Sequence, residues 1–113
     1  MNPAKLLEGI TLDRLNAIYR SVIRRQEDKV DPIRSKFGKI EREDVSLPQK
    51  MEYVRAYAGN HGRFSFRDLL EEQAGKMQVV VTFLAILELM KMGEIRVAQE
   101  SLFDDIIIDR VEK

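Results

Sequence analysis

The chain has 113 residues, enough for one hydrophobic core and too few for two independent domains. Nineteen Lys and Arg balance nineteen Asp and Glu, so no whole-chain field draws nucleic acid or an anionic membrane toward it. Cysteine is absent, which excludes a disulfide scaffold, a thiolate nucleophile and cysteine-ligated zinc, and permits a reducing cytoplasm.

Met1–Ile10 lacks the basic start, apolar run and small-residue cleavage site of a secretory signal. Thr11 is expected to cap the first strong helical pattern, with Asp13 in the first turn opposing the positive end of the helix dipole. Leu12, Leu15, Ile18, Tyr19, Val22 and Ile23 recur at three- and four-residue spacing and form one apolar stripe. Arg14, Arg20, Arg24 and Arg25 occupy the other side, and Glu27 and Asp28 partly cancel their field, as on a solvated face. Asp31-Pro32 is expected to end this helix, and Val30–Gly38 reads as a linker.

Lys39-Ile-Glu-Arg-Glu alternates over the length of a short edge strand. Ser46-Leu-Pro-Gln then restarts a helix with capping-box spacing between Ser46 and Gln49. Leu47, Met51, Val54 and Ala58 give that helix its inner face, and Gly59-Asn-His-Gly is expected to stop it. Ser65 is placed to cap a short helix whose Phe66, Leu69 and Leu70 point inward. After Gly75 comes the most apolar helix, Lys76–Met92, with Gly93 as its C-terminal stop. Glu94–Gln99 and Asp105–Asp109 alternate like the two arms of a hairpin, turning at Glu100-Ser101. The expected fold is therefore α+β and mainly helical: a winged helix of three helices plus a β-hairpin at residues 39–113, preceded by an N-terminal amphipathic helix and linker at 1–38.

A winged helix that reads DNA needs Arg, Lys, Asn or Gln on its third helix. Here that helix is Met-Gln-Val-Val-Val-Thr-Phe-Leu-Ala-Ile-Leu-Glu-Leu-Met. On a helical wheel Val79, Val80, Phe83, Ile86, Leu87 and Met90 gather on one side, and Met77, Val81, Leu84, Ala85 and Leu89 spread over the other. Two dispositions satisfy this pattern: one face docks a protein, or the helix is central and the Leu15–Ile23 helix folds back over it. The docking disposition is the expectation carried forward, with Ile107 facing opposite to Ile106 and Ile108 as a contact from the hairpin. From Glu94 onward six acidic residues stand against three basic ones, a net charge of −3 that repels phosphate. The longest apolar stretch, Val79–Met90, is broken by Thr82 and Glu88 and falls far short of the ~20 residues that span a bilayer.

The segment Val79-Val-Val-Thr-Phe-Leu-Ala-Ile-Leu-Glu-Leu, followed by Gln99-Glu-Ser-Leu-Phe-Asp-Asp-Ile, resembles the C-terminal region of segregation and condensation protein A, the bacterial kleisin family. The resemblance extends back through Ile40-Glu-Arg-Glu-Asp-Val-Ser and Phe64-Ser-Phe-Arg-Asp-Leu-Leu and covers residues 39–109. It implies a winged helix that binds the ATPase head of an SMC protein in a complex that handles chromosomal DNA. It further implies segregation and condensation protein B as a partner through parts of the kleisin outside or at the start of this chain. DNA is then met only through the complex, without a membrane, in the cytoplasm at the nucleoid. The matching contact positions are Phe83 and Leu87, extended by Val79 and Met90 along the helix and by Ile107 on the wing. The family's full-length members are about twice as long as this chain, so Met1 reads as the introduced start of a C-terminal fragment.

Catalytic arrangements find little material. His61 is the single histidine and sits in a turn sequence, so neither a histidine-based triad nor a multi-histidine metal site assembles within one chain. Asp104-Asp105 and Glu71-Glu72 are the acid pairs open to acid/base work, but no phosphate loop accompanies them and they read as solvated carboxylates. The expectation is a non-enzymatic binding domain without cofactor or metal. The alternatives are a DNA-binding winged-helix regulator that uses the first-helix arginines, and self-association through the apolar helix.

Overall fold

The structure, a computed structural model, describes residues 3–28, 46–100 and 105–111. Its elements run α1 (Pro3–Asp28), α2 (Leu47–His61), β1 (Arg63–Ser65), α3 (Phe66–Glu71), α4 (Lys76–Lys91), β2 (Ile95–Glu100) and β3 (Ile106–Arg110). The mainly helical winged-helix architecture matches the expectation, and β1 adds a third strand to the expected hairpin. The expected strand at 39–43, the linker, the boundary between residues 38 and 39, and Ser101 of the expected turn all lie outside the described residues.

Local chemistry sets most boundaries. Ser46 adopts an extended conformation, and its Oγ accepts from the Gln49 N–H at 3.2 Å, which starts α2 with Pro48 in its first turn. The helix runs through His61 and ends at Gly62, the last residue of the Gly59-Asn-His-Gly segment expected to stop it, whose φ of +71° suits glycine. Ser65 repeats the device for α3, its Oγ accepting from the Asp68 N–H at 3.1 Å. Gly93 follows α4 with φ +78°. The departure is α1, which begins at Pro3 and carries Thr11 inside rather than at its cap. Ala4-Lys-Leu-Leu-Glu is a run of strong helix formers, and a proline suits a first helical position.

The sheet is antiparallel in the order β1-β3-β2, with Phe64 opposite Ile108, Val97 opposite Ile108 on the other side, and an irregularity between Val97 and Gln99. Strand alternation sends Ile106 and Ile108 inward and leaves Ile107 partly exposed on the outer face. There Asp109 lies between Arg63 and Arg96, and Arg96 donates to it at 3.4 Å.

A single core joins all these layers. Leu15, Ile18 and Val22 of α1 pack with Val54 and Ala58 of α2, Phe66, Leu69 and Leu70 of α3, Val79, Ile86 and Leu89 of α4, and Ile106 and Ile108 of β3. The N-terminal helix thus shares the core of the winged helix. Polar ties reinforce the packing. Arg25 pairs with Glu71 at 2.9 Å, and Gln73, buried after α3, donates to the Leu69 carbonyl at 2.9 Å and accepts from Lys50 at 3.2 Å.

Candidate protein-docking surface

α4 is the element that decides the surface. Its inner arc, Val79, Thr82, Ala85, Ile86 and Leu89, is fully buried, and Thr82 satisfies its hydroxyl by donating to the Gln78 carbonyl at 2.6 Å. α1 crosses the flank next to it: Tyr19 stacks on Phe83 with ring centroids 4.3 Å apart and planes 14° apart, and Phe66 meets Phe83 from below at 5.9 Å. What α1 and α2 leave uncovered is an outer arc on which Met77 is 58% and Leu84 47% exposed, with Val80 and Leu87 half-buried beside them.

Of the five residues expected to meet a partner, two are therefore corrected. Val79 has no exposed surface and belongs to the core, and Phe83 is only 8% exposed because Tyr19 of α1 stacks over it. Leu87, Met90 and Ile107 remain partly accessible. The first two line an open groove of about 610 Å³ between α1, α4 and β2, together with Leu12, Leu15, Ile95 and Val97. Leu12, half exposed, was expected inside the stripe of α1 and instead forms the rim of this groove. Met77, Leu84 and Val97 also belong to the apolar surface and were absent from the expected contacts. Met77 and Leu84 share a wheel face with the buried Ala85 and Leu89, so the wheel alone did not separate them.

Several charged and titratable groups have structural partners. Arg55 donates from Nε and Nη2 to the two Glu94 carboxylate oxygens, each at 2.9 Å, and also pairs with Glu52, which binds α2 to the base of the wing. The Glu94 bond is the main cause of the upward shift of the Arg55 pKa. Asp105 accepts from Ser65 Oγ at 2.6 Å and from the Arg67 and Ile106 N–H groups at 3.3 and 2.7 Å. It anchors β3 to the start of α3, and Glu71 is paired with Arg25, so these two acids serve the fold. His61 lies exposed at the end of α2, its ring stacked 4.0 Å from Tyr57 and its Nδ1 2.8 Å from the Tyr57 carbonyl oxygen. Among the described residues no three His, Cys, Asp or Glu side chains gather as a metal site, and no helix is long and apolar enough to cross a membrane.

On α1, Arg20 and Arg24 are exposed alongside Asp13, Arg14 is half-buried, and Arg25 is held by Glu71. This surface mixes charges, whereas on the outer arc of α4, where a DNA reader needs basic and amide side chains, Met77, Val80, Leu84 and Leu87 outnumber Glu88 and Lys91.

The family model described as Segregation and condensation protein ScpA matches residues 7–111. Relatives named segregation and condensation protein A include those of Clostridium tetani, 31% identical over 92% of this chain and 41% of the relative, and Brevibacillus brevis, 34% identical over 88% and 37%. The relative from Bacillus cytotoxicus is 35% identical over 93% of this chain and 41% of its own length. The chain thus spans about two fifths of the length of the relatives it matches. With a family model matched from α1 through the end of β3, the chain belongs to the segregation and condensation protein A family.

Proposed function

We propose that this chain is the non-enzymatic winged-helix region of a kleisin-type subunit, which docks on the ATPase head of an SMC protein in a complex for chromosome condensation and segregation. The observation that carries this reading is the apolar outer arc of α4 and the groove beside it, Met77, Leu84, Leu87, Met90 and Leu12, where a DNA-binding winged helix would present basic side chains. Leu84 and Leu87 are the central anchors, Met90 and Leu12 extend the patch into the groove, and Ile107 contributes from the outer face of the sheet. Phe83 acts from within, by holding α4 against Tyr19 of α1, and Val79 lies in the core. Segregation and condensation protein B is reached through parts of the subunit outside or at the start of this chain, and DNA only through the complex, at the nucleoid. Any effect on ATP hydrolysis is exerted through the head.

The test is titration of the chain with a purified SMC ATPase head, comparing wild type with Leu84→Lys and Leu87→Lys. Both side chains are partly exposed, so the lysine head reaches water and the fold survives. The expected result is binding by wild type and a loss of at least ~30-fold in each variant, the scale of a hot-spot residue. A folded wild type that does not bind the head overturns the reading.

A further inference from the structure

The groove between α1, α4 and β2 has a feature beyond its apolar lining. Ile95, Arg96 and Val97 all line it, although consecutive residues of a strand point to opposite faces. Such a lining fits a strand whose edge faces the groove, and the register bears on this directly. β2 is an outer strand of the sheet, paired with β3 alone among the described residues. The register says which peptide groups face the open side. The Val111 N–H donates to the Glu94 carbonyl at 3.0 Å, which makes those two a hydrogen-bonded pair. By alternation Arg96 turns its peptide groups toward Asp109, while Ile95 and Val97 direct theirs away from β3. Leu12 and Leu15 of α1 and Leu87 and Met90 of α4 flank this edge.

We infer that the edge of β2 is a strand-addition site: an extended segment of the partner pairs its backbone with Ile95 and Val97 and sets an apolar side chain between Leu12, Leu87 and Met90. A helix in the same place satisfies its own peptide groups and leaves those of β2 unmatched, so an extended occupant fits the edge better. The irregularity after Val97 breaks the register and limits the added pairing to the first half of β2. Charge defines the segment further. Lys91 and Arg96 stand at the groove and none of its described lining residues is acidic, so a carboxylate next to the apolar residue is favoured. Arg96 already leans on Asp109, which leaves Lys91 as the stronger of the two attractions.

This inference rests on the docking reading, and amide exchange separates the two. Hydrogen exchange at the individual amides of Ile95 and Val97 is followed in the free chain and in its complex with the SMC ATPase head. Strand addition slows exchange at both amides by at least ~30-fold on binding. Val97→Pro removes one outward N–H while leaving the bonds to β3 in place, and it weakens binding by about tenfold or more if it stays folded. Binding that leaves both amides exchanging as in the free chain overturns the strand-addition site and leaves the docking reading intact. Absence of any binding overturns the docking reading itself. Should Val97→Pro unfold, the exchange measurement on the wild type decides alone.

Discussion

Replacing Phe83 by alanine tests the central assignment of the structure, that α1 and α4 meet through that ring. Phe83 is 8% exposed, stacked on Tyr19 at 4.3 Å and in contact with Phe66 at 5.9 Å. Truncating a buried phenylalanine costs about 3–5 kcal/mol, to which loss of an aromatic pair contributes about 1 kcal/mol. A chain of this length loses roughly 4 °C of melting temperature per kcal/mol, so the midpoint should fall by about 15 °C. Leu84→Ala, one residue along and nearly half exposed, should change stability by no more than about 1 kcal/mol. Thermal and urea unfolding, followed by tyrosine fluorescence and far-ultraviolet circular dichroism, measure both variants without a partner. A Phe83→Ala chain as stable as wild type, or a Leu84→Ala chain that loses more than Phe83→Ala, would show that α4 does not turn Phe83 toward α1.

Two further outcomes follow from the polar contacts. Ser65→Ala removes both the cap of α3 and a hydrogen bond to Asp105, and urea unfolding should register a loss of roughly 2 kcal/mol; a change under about 0.5 kcal/mol would mean that Asp105 is held by its backbone donors alone. Burial, reinforced by Glu72, raises the Tyr57 pKa above its ordinary value of 10, so the folded chain keeps that proton longer than the unfolded one. Its contribution to stability is complete below the unfolded pKa and disappears as pH rises through the folded value. Tyr57→Phe should therefore flatten the alkaline decline of stability, and an unchanged slope above about pH 10 would refute the shift.

The parts of this architecture that were readable in the sequence are those fixed by a few adjacent residues. Ser46 and Ser65 announce helix starts because a short hydroxyl side chain reaches an N–H two or three residues ahead, and Gly93 announces a stop because its conformation costs other residues energy. β1 was missed because three residues, Arg63–Ser65, are too few to show alternation, and the strand exists through its pairing with β3 over forty residues away. The site was half readable. The excess of apolar residues on α4 pointed to a surface unlike that of a DNA reader, and Leu87 and Met90 are partly accessible beside it. Val79 and Phe83 were misplaced because a helical wheel gives angles around one helix and carries no information about which neighbour covers which angle. Only the stacking of Tyr19 on Phe83 fixes that. Leu12 shows the converse, a residue in phase with a buried stripe that ends at the rim of the groove.

The groove has no existence apart from the docking of α1. Leu12 and Leu15 supply one wall and belong to the same helix whose Ile18 and Val22 complete the core. Attachment of that helix and occupancy of the groove are therefore thermodynamically linked. A ligand held there at one hundred times its dissociation constant makes detachment of α1 about 2.7 kcal/mol harder, and a substitution that populates the detached state weakens the ligand in proportion to the attached fraction lost, without touching it. The affinity of a ligand bound in this groove would thus be set partly by buried residues outside its lining, Ile18 and Val22 foremost among them.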